Sequence, residues 1–395
     1  MMKKRIVGVI GLGHVGAHVA YALAVQGIAD ELILVDQKEQ KLASEVQDLR
    51  DAAAYLPHRV TVRAGDFADL GECDVIVNSV GKIELLETHD RLTEMDFTIP
   101  AVRSYAHKIK ESGFDGVLIN ITNPCDIVTR ELALGVGLPR GRVFGTGTGL
   151  DTSRLLSALA RQTGIDHKSI TCYMLGEHGS QQFAPWSCVS FRGVPLDEWA
   201  KTDERFRFDR DALQKESIGG GWVTFSGKFC TEYGIATTAA RMAYAVLHDE
   251  KVILPASAEL TGEYGETGLF AGVPCVIGAS GVEEVVELPL TDEEKRIYTL
   301  VLRGHIQLGA AKFLHGCMGE NLDMLARTPL WEAGLDFNHG TGHGVGFVLG
   351  VHEGPERVHW DVKRQKRHCV IEEGMIFSNE PGIYLSLIHI SEPTR

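Results

Sequence analysis

Hydrophobic and polar positions alternate between two patterns over the first 150 residues. Short apolar runs bounded by glycine, proline or polar residues read as buried strands at 5–10, 31–35, 60–63, 74–80, 116–122 and 142–146. Longer stretches of helical period lie between them. This alternation predicts an α/β fold with a doubly wound parallel sheet. Polar residues gather at the strand ends, where ligands bind in such sheets.

The first strand runs into Gly11-Leu12-Gly13-His14-Val15-Gly16, and a helix follows to about Val25. In a strand-turn-helix context of this Rossmann type, Gly11 makes the turn, Gly13 admits a pyrophosphate and Gly16 lets helix and strand pack closely. The second strand leads into Asp36, twenty residues after Gly16. A carboxylate there bonds ribose hydroxyls and repels a 2′-phosphate, so the expected cofactor is NAD. The bland alternative is a glycine-rich turn with a solvated Asp. Asn123-Pro124 ends another strand, and the proline restricts Asn123 to extended backbone. Its amide could bridge cofactor and substrate, or simply serve a turn.

Further on, Leu175-Gly176-Glu177-His178-Gly179-Ser180 sets a histidine between glycines. A lone histidine is usually packed or solvated. Upstream, Gly147-Thr148-Gly149-Leu150-Asp151-Thr152-Ser153-Arg154 places Asp151 and Arg154 one helical turn apart on the same face. A histidine, an orienting carboxylate and an anion-binding guanidinium are the parts needed to move a proton on a small carboxylate substrate.

Composition narrows the field. At 395 residues, two or three domains are expected. The net charge of -14 argues against a general nucleic-acid binder. No apolar run is of membrane-spanning length, and 6–10 is too short for a signal-peptide core. Eight cysteines without a Cys-x-x-Cys pair fit buried thiols in a reducing cytoplasm.

The order of these motifs, with Asp90-Arg91 between them, resembles the L-lactate/malate dehydrogenase family over about 1–290. Gly81-Lys82-Ile83, Asp90-Arg91, Glu111-Ser112-Gly113-Phe114 and the stretch 181–187 resemble its L-2-hydroxyisocaproate branch most. The resemblance implies an α+β catalytic domain after the Rossmann domain, with late strands at 268–277 and 282–288. It implies His178 as general acid/base, with Asp151 fixing its tautomer and favouring the imidazolium. Arg154 would clamp the substrate carboxylate bidentately, Arg91 would arrive on a closing loop to polarise the C2 carbonyl, and Asn123 and Thr231 would line the pocket. Ser180 departs from the usual Asp or Asn. Leu85 and Leu86 lie near the place where malate dehydrogenases carry an extra Arg, which favours an aliphatic 2-oxo acid such as 2-oxoisocaproate or pyruvate over oxaloacetate. Family members are dimers or tetramers, so a homo-oligomer is expected, with no nucleic-acid or membrane partner.

A helical pattern follows, with Ile297, Leu300, Val301, Leu308 and Ala311 on one side. From about 296 to 385 the chain resembles something else, an incomplete aminopeptidase P of the pita-bread fold. His339-Gly340-Thr341-Gly342-His343-Gly344-Val345-Gly346, Val351-His352-Glu353-Gly354-Pro355 and Ser378-Asn379-Glu380-Pro381-Gly382 carry that resemblance. His343 and Glu380 match metal ligands and His352 a proton-moving residue, but the other carboxylate ligands of a two-metal site are missing. No functional metal and no peptidase activity are expected. Residues 386–395 resemble translated adapter read-through, so the chain is expected to be a chimera joined near 288–297, where Leu290–Lys295 suits either parent. The expected division is 1–150, 151–295, 296–385 and a non-native 386–395. Rival readings are a metal-dependent Xaa-Pro aminopeptidase and a non-enzymatic dinucleotide sensor; the acid/base cluster speaks against the sensor.

Overall fold

The computed structural model describes residues 3–82, 94–179, 182–337 and 340–343, then 357–360, 369–375 and positions 377, 379 and 381. The described residues up to Pro289 form one compact unit and those from Leu290 another.

The first unit begins β1 (Ile6–Ile10), α1 (His14–Val25), β2 (Glu31–Val35), α2 (Glu39–Ala53), β3 (Thr61–Ala64), β4 (Val75–Asn78), α3 (Met95–Glu111), β5 (Val117–Asn120), α4 (Cys125–Val136) and β6 (Val143–Gly145). The six strands are parallel in the order β3-β2-β1-β4-β5-β6. This is the α/β, Rossmann-type doubly wound sheet expected from the pattern. Every residue of β2, β4 and β5 is buried, because helices cover both faces; that is why these strands read as unbroken apolar runs. The strand order reverses between β1 and β4, and the loops at Gly11 and Ser79 leave the sheet there.

Several strands are shorter than expected, two of them for a visible reason. The runs 74–80 and 116–122 end at Asn78 and Asn120, whose buried amides bond to each other at 2.9 Å. Beyond these residues the backbone turns into loops held by side chains.

Next come α5 (Gly149–Thr163), β7 (Ile170–Thr171), β8 (Leu175–Gly176), β9 (Gln182–Phe183), β10 (Ser190–Phe191), β11 (Val194–Pro195), α6 (Leu196–Thr202), α7 (Arg210–Lys228) and α8 (Tyr233–Leu247). The unit closes with β12 (Val252–Thr261), β13 (Thr267–Gly278) and β14 (Gly281–Val285). The ten-residue β12 has no counterpart in the sequence reading. It pairs antiparallel with β13 and meets β6 at Ser257–Gly145, which extends the parallel sheet into a mixed one. Pro255 masks it in sequence, since proline argues against a central strand; here Pro255 faces Pro274. The expected strand 282–288 also ends early. The Tyr264 hydroxyl donates to Val286 O at 2.9 Å and accepts from Leu288 N at 3.0 Å, replacing a strand partner.

In the second unit, α9 (Asp292–Gly309) and α10 (Gly319–Trp331) pack together. A capping box between Thr291 and Glu294 starts α9. Its Leu300 and Leu308 are buried as expected, whereas Ala311 lies past the helix end. Gly304 lets α10 approach closely, because a Cβ there would lie 2.2 Å from Ala326 O. A short antiparallel pair, β15 (Gly342–His343) and β16 (Arg357–Val358), follows. Among the described residues, no helix is long and apolar enough to cross a membrane.

Candidate active site

The glycine loop leaves β1 at the reversal of strand order, as a dinucleotide crevice requires. Gly11 has φ +85°, and a Cβ there would lie 2.9 Å from Ser79 O. A Cβ on Gly16 would lie 1.9 Å from Gly11 O, so these two glycines serve the packing of loop, helix and sheet. Gly13 differs. A Cβ there would meet nothing within 4 Å, and the residue is exposed. Its open side, at the N-terminus of α1, is the cradle a pyrophosphate needs, so these residues fit a dinucleotide. Asp36 sits one residue past β2 and accepts from Leu12 N at 2.7 Å and Lys38 N at 2.8 Å. Its carboxylate is thereby tied to the glycine loop.

Asn123 is half-buried at the end of β5, and its peptide bond to Pro124 is cis. The turn is fixed from below. Asn120 Nδ2 donates to Thr122 O, Cys125 O and Thr129 Oγ1 at 3.0–3.2 Å. Asn78 in turn accepts from the buried Tyr105 hydroxyl at 2.6 Å. This polar ladder was invisible in sequence, where Asn78 and Asn120 read as positions inside the runs 74–80 and 116–122.

His178, Asp151 and Arg154 come together. Asp151 Oδ2 lies 2.5 Å from His178 Nδ1, and Arg154 Nη1 donates to Asp151 Oδ1 at 3.0 Å. Asp151 is 1% exposed. Burial alone would raise its pKa, but the imidazole, the Arg154 guanidinium and Gln182 hold it down at about 2. The carboxylate is therefore charged throughout the neutral range. Two threonines strap the histidine strand to α5. Thr148 Oγ1 donates to Met174 O at 2.6 Å, and Thr152 Oγ1 accepts from Met174 N at 2.9 Å. Gly176 then turns at φ +100°, a conformation natural to glycine, and presents His178 beside Asp151. Arg154 crosses Gly220 and Gly221 of α7, where added Cβ atoms would lie 3.1–3.3 Å from it. The guanidinium has little room to swing away.

A second buried carboxyl was missed in sequence. Asp126 is 8% exposed and accepts from Ser257 Oγ at 2.5 Å. Burial pushes its pKa up to about 7, helped by the charges of Glu177 and Asp151; the Ser257 hydroxyl and the His178 backbone N–H pull the other way. Asp126 therefore supports the His178 loop from beneath. The only signal in sequence was its place three residues after Asn123. Thr231 is half-buried in the connection from α7 to α8, near Leu150. Arg91, Leu85, Leu86, Ser180, His352 and Glu380 lie outside the described residues. His343 is described and half-buried, on β15.

Comparison with known proteins decides the family. Residues 5–145 match the lactate/malate dehydrogenase NAD-binding domain, and residues 148–303 match that family's alpha/beta C-terminal domain. An L-lactate dehydrogenase of Fusobacterium nucleatum is 41% identical over 317 residues, covering 78% of this chain and 98% of its own. The chain belongs to the lactate/malate dehydrogenase family. L-lactate dehydrogenase 1 of Bifidobacterium longum is 37% identical to this dehydrogenase-like chain over 296 residues, covering 74% of it and 93% of its own length. The crystal structure of a minor L-lactate dehydrogenase from Enterococcus mundtii superposes with a TM-score of 0.68 at 33% identity, covering 75% of this chain and 94% of that one. The cofactor of the dehydrogenase is NAD, and the catalytic part is L-lactate dehydrogenase-like. Residues 280–392 match the metallopeptidase family M24, so the two family matches overlap over 280–303.

Proposed function

We propose that the chain is an NAD-dependent L-2-hydroxyacid dehydrogenase acting on an aliphatic 2-oxo acid. The observation that carries this reading is the buried Asp151 bonded to both His178 and Arg154. NADH supplies a hydride to the substrate's C2 when bound. His178 supplies the proton to the C2 oxygen. Asp151 stays anionic, holds Nδ1 and leaves Nε2 to face the substrate. Arg154, braced along α7, pairs with the substrate carboxylate, and its bond to Asp151 keeps it pre-oriented. Arg91 polarises the carbonyl, while Asn123 and Thr231 line the pocket. Gly11, Gly13 and Gly16 seat the pyrophosphate, and Asp36 selects the unphosphorylated ribose.

His178→Asn tests the assignment. Turnover is expected to fall by about 10²–10⁴ while NADH fluorescence titrations stay unchanged. Unchanged turnover would remove His178 from the mechanism. Substrate choice rests on Leu85 and Leu86, which add apolar surface and no cation for a second carboxylate. The preferred order is 2-oxoisocaproate over pyruvate over oxaloacetate, read as kcat/KM from NADH oxidation. Preference for oxaloacetate would defeat it.

The M24 match favours a peptidase as the second reading for the C-terminal segment. Our reading is an inactive fragment, with at most His343 and Glu380 left of its ligand set. Xaa-Pro peptides with added manganese should stay uncut. The division proposed is 1–150, 151–295, 296–385 and 386–395, in a chimera joined near 288–297, which falls within the 280–303 overlap of the two family matches. A single intact long read of the source DNA across the junction would refute the chimera. A homo-oligomer in a reducing cytoplasm completes the reading, consistent with the free thiols; light scattering tests the first part.

A further inference from the structure

Among the described residues, one cluster of metal-ligating side chains does not include His178, Asp151 or Arg154. His14 is the first residue of α1, inside the glycine loop. Cys230 and Glu232 lie in the connection from α7 to α8, more than 200 residues later in the chain. The imidazole, the thiol and a carboxylate oxygen all lie within 4.8 Å of one another. His14 Nδ1 is 3.1 Å from Glu232 Oε1. Cys230 and Glu232 are buried, at 4% and 8% exposure, and His14 closes the cluster from the solvent side.

The carboxylate is already oriented. Lys228 pairs with Glu232 Oε2, which leaves Oε1 turned to His14. One nitrogen, one sulfur and one oxygen donor are a set that suits zinc-like cations. Tetrahedral bonds of the usual lengths place donors roughly 3.3–3.8 Å apart, so the cluster needs to contract by no more than about 1.5 Å. The exposed His14 ring can supply that movement.

We infer that His14, Cys230 and Glu232 form a binding site for a thiophilic divalent cation of the zinc class, with the fourth position open to water. Binding breaks the Cys230 S–H bond, forms a metal–sulfur bond and releases one proton to solvent. The cation would tie the glycine loop to the start of α8. The neighbouring Lys228 ammonium repels it and limits the affinity.

Cobalt(II) titration of the full chain tests the site by absorption. One cobalt per chain is expected, with a thiolate-to-cobalt charge-transfer band that zinc displaces. Cys230→Ser should abolish the band, and His14→Ala, a change on an exposed side chain, should weaken binding at least about tenfold. Cys188→Ser should leave both intact, and Lys228→Met should tighten binding. An unchanged far-UV circular dichroism spectrum and urea midpoint in each variant report folding. A full chain with no charge-transfer band, or a band that survives Cys230→Ser, overturns the proposal.

Discussion

The two units of this chain bury different things. In the dehydrogenase unit, a large apolar cluster runs from Val7 and Leu34 on the sheet to Ala239 on α8 and Ile277 on β13. Its buried polar groups include Asn78 and Asn120 at strand ends and Asp126 and Asp151 in the first turns of helices, where they hold loops. Among the described residues of the C-terminal unit, the apolar clusters join Leu308, Leu322, Ala326, Val358 and Ile371 in one, and Leu300, Leu330 and Phe337 in the other. Among the described residues there, the largest fully buried side chain is an arginine. Arg327 donates to Asp323 at 2.6 Å and to Asp336 at 2.7 Å, and its guanidinium lies 3.8 Å from the Phe337 ring centroid. Thr341 donates to the other oxygen of Asp323. A unit that spends its centre on an ion network depends on every member of it, because removing one strands a buried charge. A unit built on spread apolar area does not.

The largest effect expected from this contrast is at Arg327. Arg327→Met should destabilise the C-terminal unit by about 3–5 kcal/mol. Hydrogen exchange should quicken across α9 and α10, while NADH binding holds. Loss of NADH binding in this variant would break the comparison by joining the two cores.

A smaller effect is expected at Asp126. Its pKa of about 7 in the folded chain lies above the unfolded carboxylate range. Between that range and pH 7 the folded state keeps a proton that the unfolded state has lost, so its contribution to stability falls as pH rises through this window. The slope is on the order of 1 kcal/mol per pH unit. Asp126→Asn removes it, so the variant should gain on the parent between pH 5 and pH 8 in urea midpoints. Equal differences at both pH values would show that Asp126 does not titrate there.

The smallest structural effect should come from Gly13. Gly13→Ala meets open space and an ordinary φ of −64°, so stability should not change. NADH affinity should still drop by about tenfold, since the methyl enters the pyrophosphate cradle. By contrast, Gly16→Ala should disturb the loop itself. Equal NADH binding by the parent and Gly13→Ala would place the pyrophosphate elsewhere.

Much of this was legible along the chain. The parallel strands announced themselves because both of their faces are buried, which forces continuous apolar runs. The Asp151–Arg154 pair followed from helical spacing alone. The peptidase-like C-terminus was legible through its motifs, although the buried Arg327 network was not, since a charged residue in a helix reads as surface. The strand β12 stayed hidden because Pro255 contradicts the usual strand pattern; in the fold it faces Pro274 of β13.

By itself, the sequence determined the sheet, the glycine turn and the kinds of side chain at the site, because these depend on local period, backbone freedom and chemical type. The tertiary structure decided which of those side chains meet. His178 reaches Asp151 only because Thr148 and Thr152 strap its strand to α5. Asp126 holds a proton near neutrality only because the fold removes water from it. His14 finds Cys230 and Glu232 only because α1 packs against α8. Distances between groups far apart in the chain, and the solvent each group loses, arise when the elements pack, and no local pattern encodes them.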